Sequence, residues 1–149
     1  MGFKGPKLAA VFDDSLTKRA ASEIARDVGA AMTDATKRHA AVRTGGHRES
    51  IESSRVERTP GGYRAGTQTT HPLAAVFEYG ARPHEIGPKT AKALGTPTGA
   101  FAHVEHPGRA GDFAFLKGAA ETDAHLTQIA EPALQRMRQQ FERNASRRR

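Results

Sequence analysis

Between Thr70 and Pro88 five residues, Pro72, Gly80, Pro83, Gly87 and Pro88, dictate where the backbone can turn and where it must run straight. Leu73, Val76 and Phe77 fall at i, i+3 and i+4, one apolar face of a short helix. Pro72 suits the first turn of that helix and Gly80 its left-handed end. Arg82 precedes Pro83 and is pushed toward extended geometry, so a short strand is expected around His84, Glu85 and Ile86 until Gly87-Pro88 ends it. The stretch therefore reads helix, sharp turn, strand, and the rest of the chain has to fit around it.

The supply of apolar side chains is the second constraint. Ile, Leu, Val and Phe together number 24 of 149 residues, about 16%, below the roughly 20% at which a charged chain becomes a candidate for disorder. Regular Gly and Pro punctuation and periodic helices favour a different account, a protomer that completes its apolar burial against copies of itself. One domain is expected over residues 1–141, with a basic, flexible tail over 142–149.

Upstream, Leu8, Val11, Phe12 and Leu16 recur at helical spacing, and Leu16, Ala20, Ile24, Val28 and Met32 continue the stripe into a long amphipathic helix. Asp14 or Ser15 could cap its start. Gly29 inside it costs about 1 kcal/mol relative to Ala, which a close packing contact would explain. The helix should end before Thr44-Gly45-Gly46. A short helical turn is expected at His47 to Ser53. Ser54 to Thr59 and Tyr63 to Thr69 then pair as a hairpin, with Pro60-Gly61 at the centre of a type II turn.

Lys89 to Thr98 reads as a long polar loop, Ala100 to His106 as a strand, and His106 to Gly111 as another loop. Phe113 and Phe115 point one way ahead of a last helix carrying Leu126, Ile129, Leu134, Met137 and Phe141. Pro132 removes an amide donor, so a kink or a new helix is expected there. The fold class is α+β: a small, mainly antiparallel sheet flanked by a long N-terminal helix and a kinked C-terminal helix.

Two sets of residues carry a resemblance to a known family. The run Phe77-Glu78-Tyr79-Gly80-Ala81, then Arg82-Pro83-His84 with Ile86 and Pro88, then His106-Pro107-Gly108 and Phe115-Leu116, resembles the small neck proteins of long-tailed bacteriophages. These are the head-to-tail connector or tail-completion proteins, the phage lambda Z protein among them. Val42 to Ile51 resembles the same family's arginine-threonine-glycine turn, although Gly46-His47 stands where the family tends to have a small or polar residue and a leucine. The matches run in order from about Val42 to Leu116.

The resemblance implies a structural virion protein at the head–tail junction, assembled in the host cytoplasm and acting as a homo-oligomeric ring around the DNA channel. Other neck, adaptor or tail-tube proteins would be its neighbours. It also implies a subunit or partner interface built from Arg43, Thr44, Gly45, Tyr79, Gly80, Arg82, His84, His106, Pro107 and Gly108.

The chemistry-bearing residues point away from catalysis. There is no Cys, hence no thiolate metal site and no Cys nucleophile. Gly-x-Ser-x-Gly, Walker and dinucleotide motifs are missing. His103 and His106 lie three apart and would face opposite sides of a strand, so they cannot chelate one ion there. No enzyme activity, cofactor, metal, small-molecule substrate or membrane is expected, and no run of 18 apolar residues occurs.

The net charge of +7 is concentrated at the C-terminus. Residues 136–149 carry six Arg against Glu142, leaving +2 on the other 135 residues. Arg147, Arg148 and Arg149 could touch DNA, and a nucleic-acid-binding module using this arm is the alternative function.

Overall fold

The computed structural model describes residues 14–41, 45–90 and 92–147, and the α+β architecture expected from the sequence is present in them. The readings that involved Leu8, Val11, Phe12, Arg43, Thr44, Arg148 and Arg149 fall outside the described residues.

Helix α1 (Asp14–His39) is the axis on which the two C-terminal helices and the first hairpin pack. Its most buried positions are Ala20, Gly29, Thr33, Ala35 and Thr36, followed by Ala40 just past its end. The larger Ile24, Val28 and Met32 of the expected stripe are only half-buried. Small residues win the inner face because the neighbouring chain comes very close. A Cβ on Gly29 would lie 3.0 Å from the Ala65 Cβ and 3.1 Å from the Ser53 Oγ. The close packing contact expected at Gly29 is thus present. Thr33 and Thr36 turn their hydroxyls back onto the Gly29 and Met32 carbonyls, which lets polar residues sit in the interface without an unmade bond.

Helices α4 (Ala114–Ala124) and α5 (Leu126–Ser146) run antiparallel to α1. Glu121 meets Arg38 and His39, while Arg136 meets Glu23 at 3.3 Å further along. Gly118 is packed onto Thr36, whose backbone N would lie 2.7 Å from an added Cβ. The helical segment is interrupted at His125, not at Pro132, which lies inside α5. Pro132 is exposed, so water can satisfy the carbonyl that its missing N–H leaves unpaired. Helix α5 also continues through residues 142–146, so the boundary expected at 141 is not a structural one.

Among the described residues, ten strands form five two-stranded antiparallel ladders that amount to two long hairpins. In the first, β1 (Ile51–Ser53) pairs with β4 (Thr67–Thr69), and β2 (Glu57–Thr59) pairs with β3 (Gly62–Arg64). Residues 54–56 face 65–66 across the gap, one residue too many on one side, which makes a bulge between the ladders. Ser54 N–H donates to the Gly66 carbonyl at 2.8 Å, and Gly66 N–H donates to the Ser54 Oγ at 2.9 Å, closing it.

Two expectations are corrected in this hairpin. The helical turn is only α2 (Gly46–Glu49), because Ile51 to Ser53 find a strand partner. The positive φ of the tight turn lies on Gly62 at 139°, not on Gly61, so Pro60-Gly61 do not form a type II turn.

In the second hairpin, β5 (Gly80–Ala81) pairs with β10 (Arg109–Ala110), β6 (His84–Ile86) with β9 (Val104–His106), and β7 (Leu94–Thr96) with β8 (Gly99–Phe101). The region read as a polar loop over Lys89 to Thr98 thus contains β7. The strand read over Ala100 to His106 is broken at residues 102–103, and the loop read over His106 to Gly111 contains β10. These pairings escape notice because the strands are polar and too short to alternate. The outer ladders pack chiefly on themselves and form an arm.

The core at the foot of the arm is small. Ala40, Ile51 and Ala114 cluster with Phe115 packed against them, and Ile51 and Thr36 are the largest side chains fully withdrawn from solvent. Phe113, expected to share a face with Phe115, is instead exposed and holds a positive φ of 52°. A turn that lifts the chain onto α4 cannot keep both rings on one side.

Candidate functional site

Helix α3 (Ala74–Tyr79) ends at Gly80, and the second hairpin leaves the body there. Gly80 has a positive φ of 81° as expected, but its ψ of −175° sends the chain directly into β5 instead of curling it back in a left-handed cap. The return strand passes so close that an added Cβ on Gly80 would meet the Arg109 carbonyl and lie 2.7 Å from Gly111 N. Gly111 in turn rests on the Glu78 carbonyl, and Gly108 on the Ala81 carbonyl. Three glycines allow two backbones to cross where side chains would hold them apart.

Two residues on each side, Arg82-Pro83 and Pro107-Gly108, separate the inner ladder from β6 and β9 without changing the register. That register sets His84 opposite His106, and their rings stack with centroids 5.0 Å apart. His84 Nδ1 donates to the Arg82 carbonyl at 2.9 Å, while Gly108 N–H donates to His106 Nδ1 at 3.0 Å. The two rings thus use Nδ1 in opposite roles, His84 as a donor and His106 as an acceptor. Of the residues singled out by resemblance, Gly80, Arg82, His84, His106, Pro107 and Gly108 are brought together here.

Tyr79 stands beside them with 74% of its surface exposed. Gly45 does not join them. Its φ of 85° starts α2, and it reaches the same region only through His47, two residues on. Leu73, read as part of the apolar face of α3, is also exposed. Glu78 takes the inward position, because α4 begins without a side-chain cap of its own and leaves amides to satisfy. Its carboxylate accepts from Phe115 N–H at 3.1 Å and Leu116 N–H at 3.3 Å. Negative charge at a helix N-terminus is stabilising. No local sequence signal reveals this cap, since the partners lie 37 and 38 residues apart.

Behind the crossing, His47 stacks on Phe77 at 4.6 Å, His71 meets the same ring at 5.2 Å, and the Arg109 guanidinium sits 4.9 Å from its centroid. Asp112 holds Arg109 through a 2.9 Å ion pair. The aromatic ring is thus fixed by a cation and two imidazoles contributed from three segments. Burial, followed by the neighbouring His71 and more weakly by Arg109, pushes His47 below the ordinary histidine range, against the opposing pull of Asp112 and Glu78. His47 Nδ1 and Asp112 Oδ2 are buried without a hydrogen-bond partner among the described residues. The sequence reading passed over His47, His71, Arg109 and Asp112; the one clue to this cluster was the density of His and Arg around an expected turn.

Among the described residues no group of three or more His, Asp or Glu is placed to hold a metal ion, and no helix is long and apolar enough to cross a membrane. The chain matches no family model, no curated protein and no solved structure.

Proposed function

We propose that this chain is a structural subunit of the neck of a long-tailed bacteriophage, acting in the virion as one member of a ring that joins head to tail after assembly in the host cytoplasm. Its work is docking and sealing rather than catalysis, and its partners are copies of itself and adjoining neck or tail proteins. The observation that carries the reading is the polar arm of residues 80–110, rooted by tight glycine crossings yet scarcely packed on its own body. Such an arm gains little by folding alone, and its natural use is to lie against another surface.

Two further observations support the proposal. The ordered resemblance of Phe77 to Leu116 covers the arm and its root. Among the described residues one large aliphatic side chain, Ile51, is fully withdrawn from water, so burial at subunit contacts would add to what the protomer buries alone. Sedimentation of the purified protein across concentration, alone and with a partner ring, should show species larger than a monomer, and imaging of virions carrying a tagged copy should place the tag at the neck. A protein that stays monomeric under every condition and is absent from virions would refute the proposal.

A further inference from the structure

Cationic residues spaced along the chain from Lys18 to Arg143 are gathered by the fold into one band. Arg55 and Arg58 on the first hairpin face Arg26 on α1 across a shallow groove that also holds Tyr63, Ser22 and Ser54. Ser22, Arg26 and Tyr63 line a second depression as well, shared with Lys18 and Arg19. Arg19 in turn lines a third, between α1 and α5, bordered by Arg136 and Arg143. Neighbouring depressions share walls, Arg26 and Tyr63 between the first two and Arg19 between the second and third.

Seven cationic residues and one carboxylate, Glu23, line these depressions, a formal +6 among the lining residues. Among the described residues, no carboxylate pairs with Arg19, Arg26, Arg55, Arg58 or Arg143. Glu57, which precedes Arg58 in β2, is already held by Arg64 at 2.6 Å. Residues 18, 22 and 26 repeat every fourth position, so α1 presents them in one row about 12 Å long.

We infer that this band binds the phosphate backbone of nucleic acid. A protein surface could also be acidic, but the chemistry here favours phosphate. Most of the cations are arginines, whose planar forks suit phosphate oxygens, and they are interleaved with tyrosine and serine hydroxyls able to donate to the same backbone. Contacts to phosphate carry no sequence information of their own, so binding through this band is expected to be independent of sequence. The inference does not depend on ring assembly, and it assigns the contact to different residues from the terminal arginines.

The test is fluorescence anisotropy with the full chain and a labelled duplex of about 30 base pairs, in salt from about 50 to 200 mM. Binding is expected at low salt, with affinity falling steeply as salt rises. The triple variant Arg26→Gln, Arg55→Gln, Arg58→Gln should bind at least tenfold more weakly and lose about 2 to 3 from the log–log salt slope. The three sites are exposed, and circular dichroism checks that the variant is folded. The triple Lys variant, which keeps the charges, should retain most of the affinity and the slope. Three results would overturn the inference: no binding of duplex at low salt, unchanged binding in the Gln variant with loss only on removing residues 147–149, or equal affinity for polyglutamate and for DNA.

Discussion

Ile51 and Ile86 are the same residue in the same kind of structure, a strand of a long antiparallel hairpin built from stacked short ladders, and they end in opposite environments. Ile51 is 0% exposed beneath α1, whereas Ile86 is 36% exposed on the arm. The first hairpin is drawn onto α1 by Gly29 and by the Thr33–Thr67 hydroxyl contact at 3.0 Å. Among the described residues, the second makes its main contacts with the body at its root, where β5 meets α3. Strand pairing alone therefore does not decide which hairpin belongs to the core; what decides it is whether a neighbour offers a surface small enough to approach.

The largest effect should come from the isoleucines themselves. Ile51→Ala should destabilise the protein by about 2 to 5 kcal/mol, while Ile86→Ala should change the free protein by no more than about 0.5 kcal/mol. Denaturant melts of the two variants check this, and equal losses would erase the distinction between core and arm. Next in size is the root of the arm. Gly80→Val forces a branched residue to a positive φ and into the returning backbone, and should cost about 2 kcal/mol or more in the same melts. An unchanged midpoint would mean that the crossing is not tight.

The smallest expected effect is a pH dependence located behind the root. His47 has a lower pKa folded than unfolded, so the unfolded chain binds more protons as pH falls through about 6.5. Stability should therefore decline from that pH down to the lowered folded value and then level off with respect to this group. His47→Gln should flatten that part of the profile in melts taken between pH 7.5 and about 5. A profile identical to that of the parent protein would show that His47 is not responsible.

The sequence made some of this architecture readable because the causes were local. Apolar spacing from Leu16 to Met32 marked α1, Gly29 marked a close approach, and Pro72 to Pro88 marked helix, turn and strand. The features that stayed hidden depend on partners far along the chain. Glu78 caps a helix nearly forty residues away, and His47 is buried only because Phe77 and His71 arrive beside it. The strand β7 was hidden for a different reason, since Gly99 at a φ of 144° and the Thr96 hydroxyl on the Gly99 carbonyl at 3.0 Å turn a polar segment that has no alternation. The basic band is likewise invisible in linear order, where its cations span residues 18 to 143 among acidic neighbours.

The claim that the second hairpin is a docking arm, with the first as part of the body, can be tested directly by hydrogen exchange on the free protein and on assembled particles. The amides of residues 84–101 should exchange quickly in the free protein and become protected on assembly, while those of β1 and β4 stay protected in both states. Strong and equal protection of residues 84–101 in both states would contradict the account.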